Sequence, residues 1–286
     1  MTTAPTRPSS GPPAPRLSGS PRAKIGAKTL RKDNYKREPL VTFSILTAFV
    51  IYSTFRAFYG KHYYADPYIS PFFSPPLSSA VEHAAKYGNL GVPPHLSWLP
   101  TTEYVFTPAI WILVVPLGFR FTCYYYRKAY YRAFWQSPPA CAVAEPHGKY
   151  TGETRFPLII QNVHRYFWYL GLVLNAILTY DAVEGFIFHK GDGAHFGIGL
   201  GSFVLVANAL LLWAYSLSCH SCRHIMGGRL THFSKHPVRY KLWTWVGKLN
   251  EKHMPIAWIS LFGVALTDLY VYLVSSGVFS DPHWIS

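Results

Sequence analysis

Apolar positions in this chain gather in near-continuous stretches of about 20 residues, separated by charged and proline-rich segments. Five such stretches cover roughly residues 41–58, 104–123, 156–180, 196–219 and 254–278. At about 1.5 Å of rise per residue, each is near the length that crosses about 30 Å of hydrocarbon as a helix. None has the two-residue alternation of a membrane β-strand. The pattern predicts an all-α membrane protein, a bundle of five transmembrane helices. No internal repeat is evident.

Half of the 286 residues are hydrophobic and 14% are charged, which alone would also suit a large soluble domain. The placement of charge decides the matter. Of 27 lysines and arginines, 21 fall in residues 1–40, 124–156 and 220–252, whereas residues 59–103 and 181–195 hold only Lys61, Lys86 and Lys190. This bias puts the N-terminus and the two long basic loops in the cytoplasm and the C-terminus outside. The net charge of +14 follows topology, so it points to no nucleic-acid partner.

Residues 1–38 are rich in Pro, Ser, Gly and Arg, the composition of a disordered basic cytoplasmic tail, and lack the apolar core of a signal peptide. The transmembrane domain is then 39–286, with cytoplasmic loops 124–156 and 220–252. Prolines exclude a long helix from the first external segment, 59–102, and glycines mark a turn in HKGDGAHFG. After Pro237 an aromatic, basic, amphipathic stretch is expected to lie in the membrane interface.

All four cysteines sit at or beyond the cytoplasmic ends of the predicted spans. The densest cluster is Cys219-His220-Ser221-Cys222-Arg223-His224. On a helix Cys219 and Cys222 share one face, and His220 and His224 share another. Thiolate and imidazole together are metal-ligand chemistry, open to zinc, iron–sulfur or haem. Cys123 ends the second span, while His164 and His253 open the third and fifth. A site with one donor from each of four helices follows: Cys123, His164, Cys219 or Cys222, and His253, with His220 as a further candidate. The competing reading makes these buried thiols and interfacial histidines. A disulfide is disfavoured, because all four thiols face a reducing compartment.

Asp268, Asn175 and Asn208 are polar side chains within spans. The asparagines suit interhelical hydrogen bonds, and Asp268 suits either such a bond or a proton path. Arg120 and Arg165 lie among Tyr124, Tyr125, Tyr126, Tyr166 and Trp168. Such a set offers aromatic area and donors to a flat carbonyl-bearing ligand such as a quinone, or forms an ordinary aromatic belt.

The runs FTCYYYRKAYYRAFWQSPPACAVAEPHGKYTGETRFPLIIQNVHRYFW and LLWAYSLSCHSCRHIMGGRLTHFSKHPVRYKLWTWVGKLNEKHMPIAWISLFG resemble the membrane anchor of the actinobacterial (type F) succinate dehydrogenase, respiratory complex II. The resemblance covers about residues 43–278. It implies a non-catalytic, multi-pass anchor in the bacterial plasma membrane for a flavoprotein and an iron–sulfur subunit. Electrons from succinate would pass to menaquinone or ubiquinone, linking the tricarboxylic acid cycle to the respiratory chain.

It further implies a membrane-embedded Rieske-type [2Fe-2S] cluster with two Cys and two His ligands. The spacing of soluble Rieske domains is matched only in part, by Cys222-Arg223-His224. The metal candidates therefore stay Cys123, Cys219, Cys222, His164, His220 and His253. The quinone candidates are Arg120, Tyr124, Arg165 and Trp168. Two alternatives stand beside this: haem b held by a pair such as His164 and His253, or a transporter or scaffold with structural zinc at CHSCRH. The oligomeric state of the complex among membrane lipids stays open.

Overall fold

The structure, a computed structural model, describes residues 29, 31–76, 107–143, 145, 154–156, 158–190 and 193–286. Most of the expected N-terminal tail and of the first external segment lies outside these residues. The chain runs through α1 (Arg37–Phe58), a hairpin of β1 (Tyr64–Ala65) and β2 (Tyr68–Ile69), α2 (Pro108–Thr122), α3 (Tyr124–Tyr130) and α4 (His164–Glu184). It continues with β3 (Ile187–Lys190), β4 (Gly193–Gly199), α5 (Leu200–Leu217), α6 (His220–Gly227), α7 (Pro237–Glu251), α8 (His253–Ser275) and β5 (His283–Ile285).

Among the described residues four helices are long and apolar enough to cross a membrane unaided: α1, α4 with its leading turn, α5 and α8. The second expected span is bent. Helix α2 and the segment Tyr124–Trp135 meet at 78°, because Cys123 between them is extended, at φ −65° and ψ 131°. Pro108 starts α2 where a missing N–H costs nothing.

Helix α1 packs on α2, α2 on α4, α4 on α5, and α5 on α8. An ion pair from α8 back to α1 closes the ring. Inside it lies a cavity of about 50 Å³ lined by Phe49, Leu113, Leu174, Leu212 and Val264 among others. Outside it Val50, Ile51, Phe55, Val173, Leu210 and Leu266 are exposed, which suits a surface solvated by lipid.

The structure moves three expected boundaries. Helix α1 starts at Arg37 rather than near 41, and the third span opens as a 3₁₀ turn, Leu158–Val163, before α4. The fourth span is the larger correction: Phe196–Gly199 is strand, and the helix begins only at Leu200. The glycines explain it. A Cβ on Gly197 would lie 2.5 Å from the Phe188 ring, and one on Gly199 would lie 2.1 Å from the Tyr68 hydroxyl. Strands β3, β4 and β5 form an antiparallel sheet, in register Phe188↔His195 and Ile198↔Trp284, that caps the face away from the basic loops. Asp281 fastens the cap, accepting from the Tyr68 hydroxyl at 2.8 Å and the Gly201 amide at 3.0 Å.

Asp268 is fully buried in α8 and paired with Arg56 of α1, with Nε–Oδ2 at 2.8 Å and Nη2–Oδ1 at 3.2 Å. Tyr52 and Ser70 donate to the same carboxylate, and Arg56 also reaches the Lys61 carbonyl at 3.0 Å. Every partner is satisfied, so this is a clasp between two helices and the loop after α1. Asn175 is likewise structural, donating to Ser216 Oγ at 2.8 Å and to the Leu212 carbonyl. Replacing Asp268 with Asn strands a buried cation, a change that costs about 3–5 kcal/mol in comparable pairs. A clear drop in the thermal midpoint of the detergent-purified complex is expected, and an unchanged midpoint would contradict the clasp.

Candidate functional site

Two helices stop and two begin at one level on the basic face. Helix α2 stops at Cys123 and α5 stops just before Cys219; α4 begins with His164 and α8 with His253. The four side chains meet as two pairs. Cys123 Sγ lies 3.4 Å from His253 Nε2, and Cys219 Sγ lies 3.1 Å from His164 Nε2. Both cysteines and His253 are buried.

The second nitrogen of each imidazole is held by a hydroxyl. Thr122 Oγ1 is 2.8 Å from His164 Nδ1, and Ser218 Oγ is 2.8 Å from His253 Nδ1. Such a bond fixes ring orientation and leaves Nε2 to face the thiols. The arrangement is crossed: the residue before each cysteine orients the histidine that touches the other cysteine.

This symmetry extends along the chain as a local repeat, shorter than a span and so invisible in the spacing of the spans. Residues 119–127 read FRFTCYYYR and residues 215–223 read YSLSCHSCR. In both, the aromatic four residues before the cysteine stacks on a histidine: Phe119 on His164 at 5.1 Å, Tyr215 on His253 at 5.2 Å. In both, the cysteine is extended, its amide bonds the carbonyl three residues back, and its carbonyl accepts from an arginine amide four residues on. Each arginine lies over an aromatic ring, Arg127 over Tyr124 and Arg223 over Trp243, both at 4.7 Å. The aromatic-x-x-hydroxyl-Cys pattern is the signal that would have found Thr122, Ser218, Phe119 and Tyr215 in the sequence.

The remaining candidates fall around these four. Cys222 is fully buried one turn into α6, and no hydrogen bond joins it to the other donors among the described residues. His220 is exposed, its ring 6.5 Å from that of His253. Cys141 is exposed on the loop after α3, 3.7 Å from Arg132. No three His, Cys, Asp or Glu side chains among the described residues close on a single ion-sized point. Two adjacent pairs suit a two-metal unit better than a lone ion. Burial, with Cys123 beside it, pushes the Cys219 thiol up to about 12, and burial pushes Cys222 up as well. Partial desolvation on its inner side also pushes His220 down, helped by His224 and Arg223. In the metal-free chain Cys219 therefore keeps its proton at neutral pH, and a metal must displace it.

Of the quinone candidates, Arg120 borders a large groove among the described residues. A lateral groove of about 590 Å³ is lined by Leu46, Phe49, Phe121, Tyr126, Phe134 and Trp135 among others, with Arg120 in its almost wholly apolar wall. Arg120 also borders the small central cavity. Its Nη1 donates to Tyr126 Oη at 2.7 Å and to the Ala257 carbonyl at 3.3 Å, and its Nη2 donates to Ser260 Oγ at 3.1 Å. Of its five N–H donors, three are thus used. Trp168 is buried and donates to the Ser216 carbonyl at 2.9 Å, tying α4 to α5. Tyr124 is exposed beneath Arg127, and Arg165 is exposed. Tyr126 lines the groove beside Arg120 and donates to the Ala257 carbonyl at 2.7 Å.

The family model of the actinobacterial succinate dehydrogenase subunit SdhC matches residues 37–277. A chain of the Mycobacterium smegmatis Sdh1 complex in the apo form is similar in structure, with a TM-score of 0.80 and 51% identity, covering 94% of this chain and 96% of that one. No curated protein matches the chain.

Proposed function

Because the chain belongs to the actinobacterial succinate dehydrogenase subunit SdhC family, and is a multi-pass membrane subunit of that enzyme, we propose that it carries electrons from a soluble iron–sulfur subunit to a quinone through a Rieske-type [2Fe-2S] cluster held by Cys123, Cys219, His164 and His253. The observation that carries the proposal is the pair of thiol–imidazole contacts at one depth, each imidazole braced by its own hydroxyl. Two thiolates and two neutral imidazoles are the donor set of such a cluster. When bound, it supplies one-electron storage at a potential well above that of an all-thiolate cluster.

The chain's own residues then have separate tasks. Thr122 and Ser218 fix the imidazoles in the tautomer that presents Nε2. Phe119, Tyr215 and Trp168, all packed in one buried cluster with Cys123 and Cys219, keep water from the donors. Arg120 offers its free N–H groups to a quinone carbonyl, and the apolar groove beside it takes the ring and the start of the isoprenoid tail. The basic loops, stiffened where Arg239 of α7 bonds the last carbonyls of α6, offer a surface for the soluble flavoprotein and iron–sulfur subunits.

The Nε2 of each imidazole already meets a thiol, which weighs against the haem alternative. Zinc at CHSCRH would need Cys222 and a histidine to turn toward Cys219.

The purified complex is expected to give a Rieske-like EPR signal on reduction, without haem bands in its visible spectrum. Cys123→Ser, Cys219→Ser, His164→Ala and His253→Ala should each abolish that signal, whereas Cys222→Ser and His220→Ala keep it. Loss with either of the last two would redraw the ligand set. Thr122→Ala and Ser218→Ala should retain less cluster, in line with the roughly 10- to 100-fold loss of metal affinity typical when a ligand's support is removed; iron analysis per complex reads this directly. For the groove, Leu46→Trp adds bulk to its wall and should raise the quinone KM about tenfold while leaving the cluster signal alone. An unchanged KM would move the quinone elsewhere.

A further inference from the structure

Two arginines are buried among the described residues, and only one has an acid. Arg56 is neutralised by Asp268. Arg120, 8% exposed, is bonded only to neutral oxygens, those of Tyr126, Ala257 and Ser260, and no described carboxylate touches it. The buried acids are committed elsewhere, Asp268 to Arg56 and Asp181 to the Ser74 hydroxyl. An isolated cation at this depth is costly, and such groups are kept where opposite charge arrives.

The position of Arg120 identifies that charge. It lies one helical turn before Cys123, and its guanidinium carbon is 4.6 Å from the Tyr215 ring. The same ring stacks on His253 at 5.2 Å and an interplanar angle of 13°. His253 Nε2 in turn is 3.4 Å from Cys123 Sγ. One aromatic ring therefore separates a fixed positive charge from the donor set. Two iron(III), two sulfide and two thiolate charges cancel in the oxidised cluster, and one electron, reducing one iron to iron(II), leaves a net charge of minus one.

We propose that Arg120 is the built-in counter-charge for that electron, raising the cluster's affinity for it before it passes on to the quinone. The inference rests on the four-donor cluster reading above. It gives Arg120 a role distinct from binding a quinone carbonyl, since the effect is present with the groove empty. A unit charge about 10 Å away across an effective dielectric of about 20 changes an electron-binding constant roughly tenfold.

The test is an EPR-monitored redox titration of the purified complex, without added quinone. Arg120→Gln should bind the electron about tenfold more weakly, lowering the midpoint by about 59 mV, while Arg120→Lys stays closer to the unmodified complex. Ser260→Asp places a carboxylate where a hydroxyl now sits 3.1 Å from Arg120 Nη2, so it should lower the midpoint without removing the arginine. That variant decides the matter if Arg120→Gln fails to assemble. A cluster signal that is present but has the same midpoint in Arg120→Gln, or in Ser260→Asp where only that variant assembles, overturns the inference and leaves the cluster reading intact. Absence of the signal from the unmodified complex overturns the cluster reading and the inference with it.

Discussion

The meeting of Cys123 and Cys219 with His164 and His253 depends on two helices ending and two beginning at the same depth. A cysteine in mid-helix would project from a helix face, whereas an extended cysteine at a break turns its thiol across the end of its own helix. Histidines at the first positions of α4 and α8 then approach from the opposite helices, and the hydroxyl before each cysteine is in reach of one of them. The 78° turn at Cys123 is the geometric cost of this site, because α2 gives up its straight continuation to make it.

Such a break inside a membrane protein needs its freed backbone groups satisfied. Here the cysteine amides bond carbonyls three residues back, and the cysteine carbonyls accept from arginine amides four residues on. The repeat of this arrangement at 119–127 and 215–223 explains why the two halves of the site match so closely. It also places Arg120, the buried arginine without an acid among the described residues, asymmetrically. Position 120 is arginine, whereas its counterpart in the second copy is Ser216, which bonds Asn175 and Trp168 instead. The asymmetry faces the groove, so the side of the site with the charge is also the side open to a lipid-soluble ligand.

The opposite face of the bundle is fixed by different means. Arg56, Asp268, Tyr52 and Ser70 lock α1, α8 and the intervening loop, and Asp281 with Tyr68 holds the small sheet. These bonds join residues some 200 positions apart in sequence, as in the Tyr52–Asp268 pair at a separation of 216. The ring of helices is thus clamped on one face and left to present donors, basic loops and a lateral groove on the other.

Much of this was legible in the chain itself. Apolar length and charge placement gave the membrane class and its four or five candidate crossings, since hydrocarbon thickness and the cost of buried charge act on local sequence. The unusual basic loops gave the family, and Cys123, His164, Cys219 and His253 stood out as donors at span ends. The strand at Phe196–Gly199 was hidden because glycine and apolar residues satisfy both a span and a buried strand, and the Tyr68 and Phe188 contacts that decide it come from distant segments. The contact of His164 with Cys219, the braces Thr122 and Ser218, the partner of Asp268 and the lack of a described carboxylate at Arg120 were decided only by tertiary structure. Each depends on which side chains from separate helices reach the same point, and one sequence carries no direct record of that distance.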